Sequence, residues 1–351
     1  MKFGTIADGK GNELELSNAT FTTLLHDSVP EVRKSAFHQY YAQYESHANT
    51  LAATLSGSNE RDAYAAKVRC HPSAVEAALF ADNVPLAVYD QLIAAVRAHL
   101  PIVHRYYELR RRLLGLDEIH HYDCYVPLVP ELEQRHTWDE AIQEITASLQ
   151  PLGTEYCDQL EAGLRGRWCD RYPNVGKQSG AFSSGTYDSD PYILMNFQED
   201  VIEHVFTLAH EAGHSMHTRL SADAQPFQYA GYTIFVAEVA STFNEQLLTR
   251  HLLSKAHSPK QRAAIISREI DAIRGTIIRQ TMFAEFERMS HSSVESGEPL
   301  TLEKIRTIYR ELLTAYFGSG FAIDEELELE SLRIPHFYRA FYVYKYATGL
   351  S

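Results

Sequence analysis

The residues FTLAHEAGHSMH, from Phe206 to His217, carry the strongest chemical signal in this sequence. His210 and His214 are four residues apart in a stretch with helical periodicity, so both imidazoles project from one helix face on adjacent turns. Two ring nitrogens placed in this way can bind one metal ion, while Glu211 is directed at a water molecule on that ion. Zinc lowers the pKa of such a water to about 7, and the glutamate can take its proton as the oxygen attacks a carbonyl carbon.

The HExxH pattern needs support from its surroundings, because a chain with 17 histidines in 351 residues would contain it by chance roughly once in fifteen cases. A catalytic zinc site also requires a third protein ligand. Glu238 follows His214 by 24 residues on a second predicted helix, where a carboxylate among apolar neighbours is costly to bury unless it is paired or binds a metal. Glu245 lies two turns further along the same face and can accept the other ring N–H of a ligand histidine. We therefore expect one zinc ion per chain, bound by His210, His214 and Glu238.

Three other interpretations of these residues remain open. His217 shares the histidine face and could replace Glu238 as third ligand, although three ligands on one straight helix splay apart. A di-metal carboxylate bundle would use Glu211-x-x-His214 together with Glu133-x-x-His136, but His136 is expected to lie outside a helix. The histidines could also be solvated and Glu238 ion-paired. Cobalt or manganese could replace zinc as the working ion, since affinity alone does not select the metal in a cell.

Helical signals dominate the rest of the chain and predict a mainly α fold. Ser28 and Glu31 form a capping-box pattern with Pro30 in the first turn, which predicts a helix that runs to about Gly57. Residues 171–199 are rich in Gly, Ser, Pro and Asp and predict short strands joined by turns. The other predicted helices cover 85–114 with a kink or break at Pro101, 137–149 with a capping box, 200–220, 233–255, 259–290, 302–317 and a Tyr-rich segment from about Pro335.

Composition limits the classes of partner. The formal net charge of −14 disfavours nucleic acid, and the basic run Arg110–Arg112 is interpreted as a solvated helix end. No apolar run is predicted to approach the roughly 18 residues that a membrane helix needs, so no membrane partner is expected. The four cysteines are far apart and lack metal-knuckle spacing, which favours reduced thiols and a cytoplasmic location.

Three segments together resemble the oligoendopeptidase F family and, more distantly, thimet oligopeptidase. They are FTLAHEAGHSMH, YTIFVAEVASTFNE at 232–245 and the closing IPHFYRAFYVYKYATG at 334–349. Shorter matches at 55–57, 65–69 and 82–85 extend the resemblance over essentially the whole chain. The resemblance implies a zincin-type metallopeptidase with His210, His214 and Glu238 as zinc ligands and Glu211 as general base.

The resemblance also implies a deep channel that admits short, unstructured peptides and excludes folded proteins. The edge strand that pairs with substrate in this family corresponds to Gly180–Phe182, although a turn-rich hairpin without that role is an alternative. His336 and a nearby tyrosine are implied as hydrogen-bond donors to the tetrahedral oxyanion. Tyr338, Tyr342 and Tyr346 recur every four residues and predict a stripe on one helical face, in which Tyr342 is our choice of donor.

Family members are longer than this chain, so we expect it to be a fragment of a longer enzyme. Residues 1–130 are expected to form part of the channel wall, and residues 131–351 the catalytic region with the HExxH helix. The first functional hypothesis is a zinc-dependent endopeptidase. The second is a zinc-holding module that binds peptides without cleaving them, and a purely structural helical protein is the third.

Overall fold

The computed structural model describes residues 1–18, 20–129, 135–177 and 180–351. The first elements are β1 (Thr5–Ala7), β2 (Glu13–Glu15), α1 (Thr20–Leu25), α2 (Pro30–Glu45), α3 (Ala48–Val68), α4 (Ala74–Phe80), α5 (Leu86–Leu113) and β3 (Ile119–His120). They are followed by α6 (Trp138–Ser148), α7 (Thr154–Arg165), β4 (Cys169–Asp170), β5 (Phe182–Ser184), β6 (Tyr192–Leu194), α8 (Ile202–Ala224), α9 (Ile234–Lys255) and α10 (Pro259–Ile273). The last are a π-helical turn (Arg274–Ile278), α11 (Arg279–Glu295), α12 (Leu302–Phe317), β7 (Phe321–Ala322), 3-10 segments at Glu325–Arg333 and Pro335–Tyr338, and α13 (Tyr344–Leu350). The mainly α fold is confirmed.

The chain forms two compact units. The first contains Met1–Leu128 and Arg274–Ala347, and the second contains Val129–Ile273 and Thr348–Ser351. The sequence analysis divides the chain at about residue 130 and assigns Arg274–Ala347 to the region of the HExxH helix, whereas in the structure this segment belongs to the unit that contains the N-terminal residues. The assignment of the two regions to a channel wall and a catalytic part stays a prediction.

In the first unit α11 packs against α3, α5 and α12. Its interior contains the fully buried carboxylate of Glu330, which accepts hydrogen bonds from Arg279 at 2.7 Å, Arg333 at 3.0 Å and Tyr309 at 2.6 Å. A buried charge is tolerated when several such partners offset its lost hydration. These bonds therefore tie α11, α12 and the 325–333 segment together.

In the second unit a small sheet packs against the metal helix α8. The strand order is β4-β6-β5, with β6 parallel to β4 and antiparallel to β5. The core joins α6, α7, β6 and α8 through buried apolar side chains, among them Ile142, Leu160, Ile193 and Phe206. The predicted strand-and-turn character of residues 171–199 is confirmed, and β5 is an edge strand.

Several predicted helix boundaries were wrong. The helix expected from Pro30 to about Gly57 is two helices, because α2 ends at Glu45 and α3 continues from Ala48 to Val68. Ser28 is not the cap of α2; instead the Asp27 carboxylate accepts the N–H of Val29 at 2.8 Å. Helix α5 runs through Pro101 without a break. In contrast, the capping box at the start of α6 is present as predicted.

The basic run at the end of α5 is not uniformly solvated. Arg110 is fully buried and donates to the carbonyl oxygens of Asp123 at 3.0 Å and Val126 at 2.6 Å. Its guanidinium satisfies backbone acceptors in the following turn, a structural role that the sequence prediction missed. Arg111 pairs with Glu108 on the helix surface.

Helix α5 also contradicts the prediction that no apolar run approaches the length of a membrane helix. By length and composition alone, one 18-residue window of this helix would suffice to cross a membrane, and only 17% of that window is buried. A single helix of this kind is weak evidence for a membrane-spanning protein. Within the first unit its Asp90 pairs with Arg288 and its Arg97 with Glu285. The absence of a membrane partner stays a prediction.

Candidate metal centre

The two histidines of the HExxH pattern meet at one point on α8. Their Nε2 atoms lie 3.1 Å apart and their rings are nearly perpendicular, at 85°. Residues four apart on an α-helix are neighbours on the same face. His210 and His214 therefore present two nitrogen donors to the same side of α8, as the spacing predicts.

Glu238 on α9 supplies an oxygen at the same point. Its Oε2 lies 3.4 Å from Nε2 of His210 and 3.6 Å from Nε2 of His214. Zinc bonds of about 2.0–2.2 Å in tetrahedral geometry place ligand atoms about 3.3–3.5 Å apart. The observed spacings lie around that value, and among the described residues these three form a group of candidate metal ligands. The donor set and its geometry thus fit one zinc ion.

Glycine at position 213 allows the two helices to come this close. A Cβ atom built on Gly213 would lie 2.7 Å from the carbonyl oxygen of Ala240 and 2.7 Å from Cα of Ser241. Asn244 on α9 also donates to the carbonyl oxygen of Ala209 at 3.2 Å. The close contact of α8 and α9 therefore brings Glu238 within reach of the histidines.

A second carboxylate orients His210. Nδ1 of His210 lies 2.7 Å from Oε1 of Glu245, as the spacing of α9 predicts, and Arg268 approaches the other oxygen of Glu245 at 3.5 Å. Such a bond fixes the ring of a ligand histidine and raises its basicity. Arg268 was not identified from the sequence, because nothing in its local pattern relates α10 to the metal helix.

The site strongly attracts positive charge. Burial lowers the pKa of His210, but hydrogen bonds to Glu238 and Glu245 outweigh this effect and raise it to about 10. Burial and the neighbouring His210 lower the pKa of His214 to about 4. Without a metal the doubly protonated ring of His210 therefore lies between Glu238 and Glu245, and a divalent ion would displace the proton on its Nε2 on binding.

Glu211 is buried beside this site. Its side chain accepts a hydrogen bond from the backbone N–H of Ser183 on β5, and its Oε2 has no hydrogen-bond partner among the described residues. Burial raises the pKa of the carboxyl group. An unpaired oxygen on a carboxylate of raised pKa suits a group that accepts and returns a proton.

Strand β5 connects the sheet to the metal helix. Ser183 pairs with Ile193 of β6 on one side, and its hydroxyl lies 2.8 Å from the hydroxyl of Ser215 on α8. Of the predicted edge segment Gly180–Phe182, only Phe182 is in the strand, and Gly180 has a left-handed φ of 90°. The edge position is confirmed, whereas pairing with substrate stays a prediction.

The alternative ligand sets are not supported. His217 stacks on Tyr232, with ring centroids 3.7 Å apart, and is not among the three converging ligands. For the di-metal alternative, Glu133 lies outside the described residues. His136 precedes α6 and donates its backbone N–H to Glu199, so it lies outside a helix as predicted.

His336 and two of the predicted tyrosines form a separate cluster in the first unit. The ring centroid of His336 lies 5.9 Å from that of Tyr342 and 6.1 Å from that of Tyr346. Burial, and then Arg339, lower the pKa of His336. This shift favours the neutral ring, which can donate one hydrogen bond.

The predicted tyrosine stripe on one helix is wrong. Tyr338 belongs to a 3-10 segment and its hydroxyl lies 2.9 Å from that of Thr54. Phe341, with a left-handed φ of 57°, then separates that segment from α13. The choice of Tyr342 over Tyr338 is consistent with the cluster, but the catalytic roles of His336 and Tyr342 stay predictions.

Sequence comparisons relate this chain to known peptidases. The model of peptidase family M3 matches residues 23–351. Oligopeptidase PepF of Bacillus subtilis is 47% identical over 349 residues, covering 99% of this chain and 52% of the relative. An oligoendopeptidase F homolog of Borreliella burgdorferi is 42% identical over 352 residues, covering 100% and 59%.

A solved structure is also similar to this chain over its whole length. Oligoendopeptidase-F from Enterococcus faecium is 35% identical, with a TM-score of 0.78, over 100% of this chain and 56% of that one. The chain thus spans between about half and three fifths of the length of these relatives. With its fold and almost its entire length matched in this way, the chain belongs to peptidase family M3.

Proposed function

We propose that this chain is the catalytic part of a zinc-dependent endopeptidase that hydrolyses short, unstructured peptides. The single observation that carries the proposal is the convergence of His210, His214 and Glu238 on one point, with Glu211 buried alongside. Membership of peptidase family M3 supports peptide hydrolysis as the reaction. A His-His-Glu donor set is one of the usual ligand sets of catalytic zinc.

Zinc bound to these ligands would lower the pKa of a coordinated water to about 7 and polarise the scissile carbonyl. Glu211 then accepts the proton of the attacking water and returns it to the leaving amine. Glu245 holds the ring of His210 so that its Nε2 faces the ion. His336 and Tyr342 donate hydrogen bonds to the oxygen on which negative charge develops.

The edge strand β5 is suited to position a peptide substrate. An exposed strand edge can pair with an extended peptide through main-chain hydrogen bonds, which bind any sequence of side chains. The segment Gly180–Phe182 leads into that edge, and Ser183 connects it to Glu211. We propose that a peptide bound along β5 places its scissile bond near Glu211.

We further propose short peptides as partners, with neither nucleic acid nor membrane involved, and a cytoplasmic location. The net charge of −14 opposes polyanionic ligands. Within the part of the chain that the structure describes, Cys70, Cys124, Cys157 and Cys169 are not in disulfide bonds, which suits a reducing compartment.

One variant tests the general base. Glu211→Gln keeps the shape of the side chain but cannot accept a proton, so it should retain one zinc ion per chain and lose about 10²–10⁴ in turnover of a fluorogenic peptide. Glu203→Gln, on the exposed first turn of the same helix, is the matched control and should behave as wild type. Wild-type turnover should be abolished by a chelator and restored by zinc. Retained turnover in Glu211→Gln would remove the base assignment.

A second candidate function follows from the length of the chain. Because it spans about half of its relatives, it could bind zinc and peptides without cleaving them. Fluorescence anisotropy with labelled peptides distinguishes the two functions. Peptide affinity in a zinc-loaded wild-type preparation that yields no product would favour the binding module over the endopeptidase.

A further inference from the structure

Two groups that are not metal ligands contact the side chain of Glu238. Ser241, one turn further along α9 and fully buried, has its hydroxyl 3.0 Å from Oε2 of Glu238 and 3.0 Å from the backbone carbonyl oxygen of Glu238, and it can donate its one proton to either. Oε2 is the oxygen that faces both histidines. When the hydroxyl donates to Oε2, it favours the orientation in which this oxygen points to the metal position.

The second contact comes from the C-terminal helix. A Cβ atom built on Gly349 of α13 would lie 2.6 Å from Cβ of Glu238, so no larger residue fits there without a shift. Cβ is the atom by which the Glu238 side chain is attached to α9, and it cannot move aside as a flexible tip could. Gly349 thus lies directly against Cβ, the first side-chain atom of Glu238.

A third residue connects the two helices at this point. The hydroxyl of Thr242 lies 2.6 Å from the carbonyl oxygen of Glu238 and 3.1 Å from that of Gly349, and its one proton is shared between these two acceptors. Gly213 of α8 also lies against this turn, at Ala240 and Ser241. The turn of α9 that carries Glu238 therefore lies close to a glycine on each of two other helices.

We propose that Ser241 and Gly349 are positioning residues for Glu238: Ser241 orients its carboxylate, and Gly349 lets α13 pack directly against its Cβ, so that the ligand is in place before the ion arrives. A free glutamate side chain loses rotational entropy when it is ordered, and a pre-ordered ligand avoids that loss during binding. Partners that orient metal ligands typically affect metal affinity by 10–100-fold. This inference rests on the zinc site of the proposed function and does not depend on peptide cleavage.

The test measures zinc affinity of the metal-free chain by competition with a chelating dye. Gly349→Ala should bind zinc about 10–100-fold more weakly, and Ser241→Ala about 10-fold more weakly. Gly57→Ala is the matched control: Gly57 lies inside α3, a Cβ atom there meets nothing within 4 Å, and its zinc affinity should be unchanged. Alanine favours helix more than glycine does, so backbone preference does not oppose either glycine substitution.

Two further readouts separate positioning from stability. The melting temperature of each metal-free variant reports on folding, and the visible absorption of the cobalt(II)-loaded protein reports on ligand geometry. We expect Ser241→Ala and Gly349→Ala each to alter the cobalt spectrum. If Gly349→Ala does not fold, Ser241→Ala, which removes only a hydroxyl, still decides the question.

Unchanged zinc affinity in Ser241→Ala or in a folded Gly349→Ala would overturn the proposal, as would a lowered melting temperature with an unaltered cobalt spectrum. Wild-type protein that binds zinc but cleaves no peptide would overturn the endopeptidase function alone and leave the positioning of Glu238 measurable. Wild-type protein that binds no zinc would overturn both.

Discussion

The candidate metal centre contains two histidines and the cluster around His336 contains one, and the two groups lie on different kinds of backbone. His210 and His214 share the regular helix α8, so the four-residue interval alone brings their Nε2 atoms to 3.1 Å. His336 lies in a 3-10 segment, and Phe341 has a left-handed backbone just before Tyr342. In a regular helix the sequence spacing determines which side chains lie close together, whereas in an irregular segment it does not.

Their electrostatic surroundings differ as well. Two carboxylates face His210 and raise its pKa to about 10, whereas burial and Arg339 lower the pKa of His336. The first histidine thus lies where a cation is favoured, and the second where a neutral ring is favoured. This contrast suits a metal ligand on one side and a neutral hydrogen-bond donor on the other.

Removal of each histidine gives the largest expected difference. His210→Ala should lose bound zinc and all measurable peptide cleavage, because it deletes one of three ligands. His336→Ala should keep one zinc per chain and lose about 10²–10³ in kcat, the usual effect of removing one oxyanion donor. Elemental analysis after dialysis and a fluorogenic peptide assay measure the two quantities.

Exposed His257 provides the control for this pair, and His257→Ala should match wild type in both assays. The comparison between the two clusters would fail if His336→Ala also lost zinc. It would equally fail if His210→Ala kept zinc at wild-type stoichiometry.

The sequence predicts some contacts of the candidate metal centre and not others. The pairing of Glu245 with one of the two histidines could be predicted, because Glu238 and Glu245 share one face of a long helix. The contact of Gly213 with Ala240 depends on how two helices pack, which periodicity does not give. The HExxH pattern and the later carboxylate therefore predicted which side chains converge but not the contacts that hold them, and their role as metal ligands stays a prediction.

The tyrosine prediction failed for a related physical reason. A four-residue interval implies one face only if the backbone between the residues is helical. Between Tyr338 and Tyr342 the chain leaves the helical region at Phe341, a bulky residue for which positive φ is uncommon. No local signal marks that position, since glycine or asparagine would be the usual residue there.

Two hydroxyl deletions test which tyrosine acts. Tyr342→Phe should lower kcat by about 10–10² with little change in KM, because the hydroxyl is proposed to act only as charge develops and His336 remains as a second donor. Tyr338→Phe removes a hydroxyl that lies against Thr54 and should leave both constants unchanged. Steady-state kinetics on one peptide measures them. A loss in Tyr338→Phe that equalled the loss in Tyr342→Phe would contradict the separation of the two residues.

The smallest expected effect concerns the proton on His336. Burial, and then Arg339, lower the pKa of His336 below the usual value for histidine, so above about pH 7.5 the ring donates as a neutral imidazole. In His336→Gln the side-chain amide donates at every pH, so the ratio of wild-type kcat to variant kcat should be constant from about pH 7.5 to about pH 8.5. Titration of other groups cancels in this ratio, because both proteins share them. A ratio that fell across this range would show that a protonated His336 is needed, and the two histidine environments would then be alike rather than opposite.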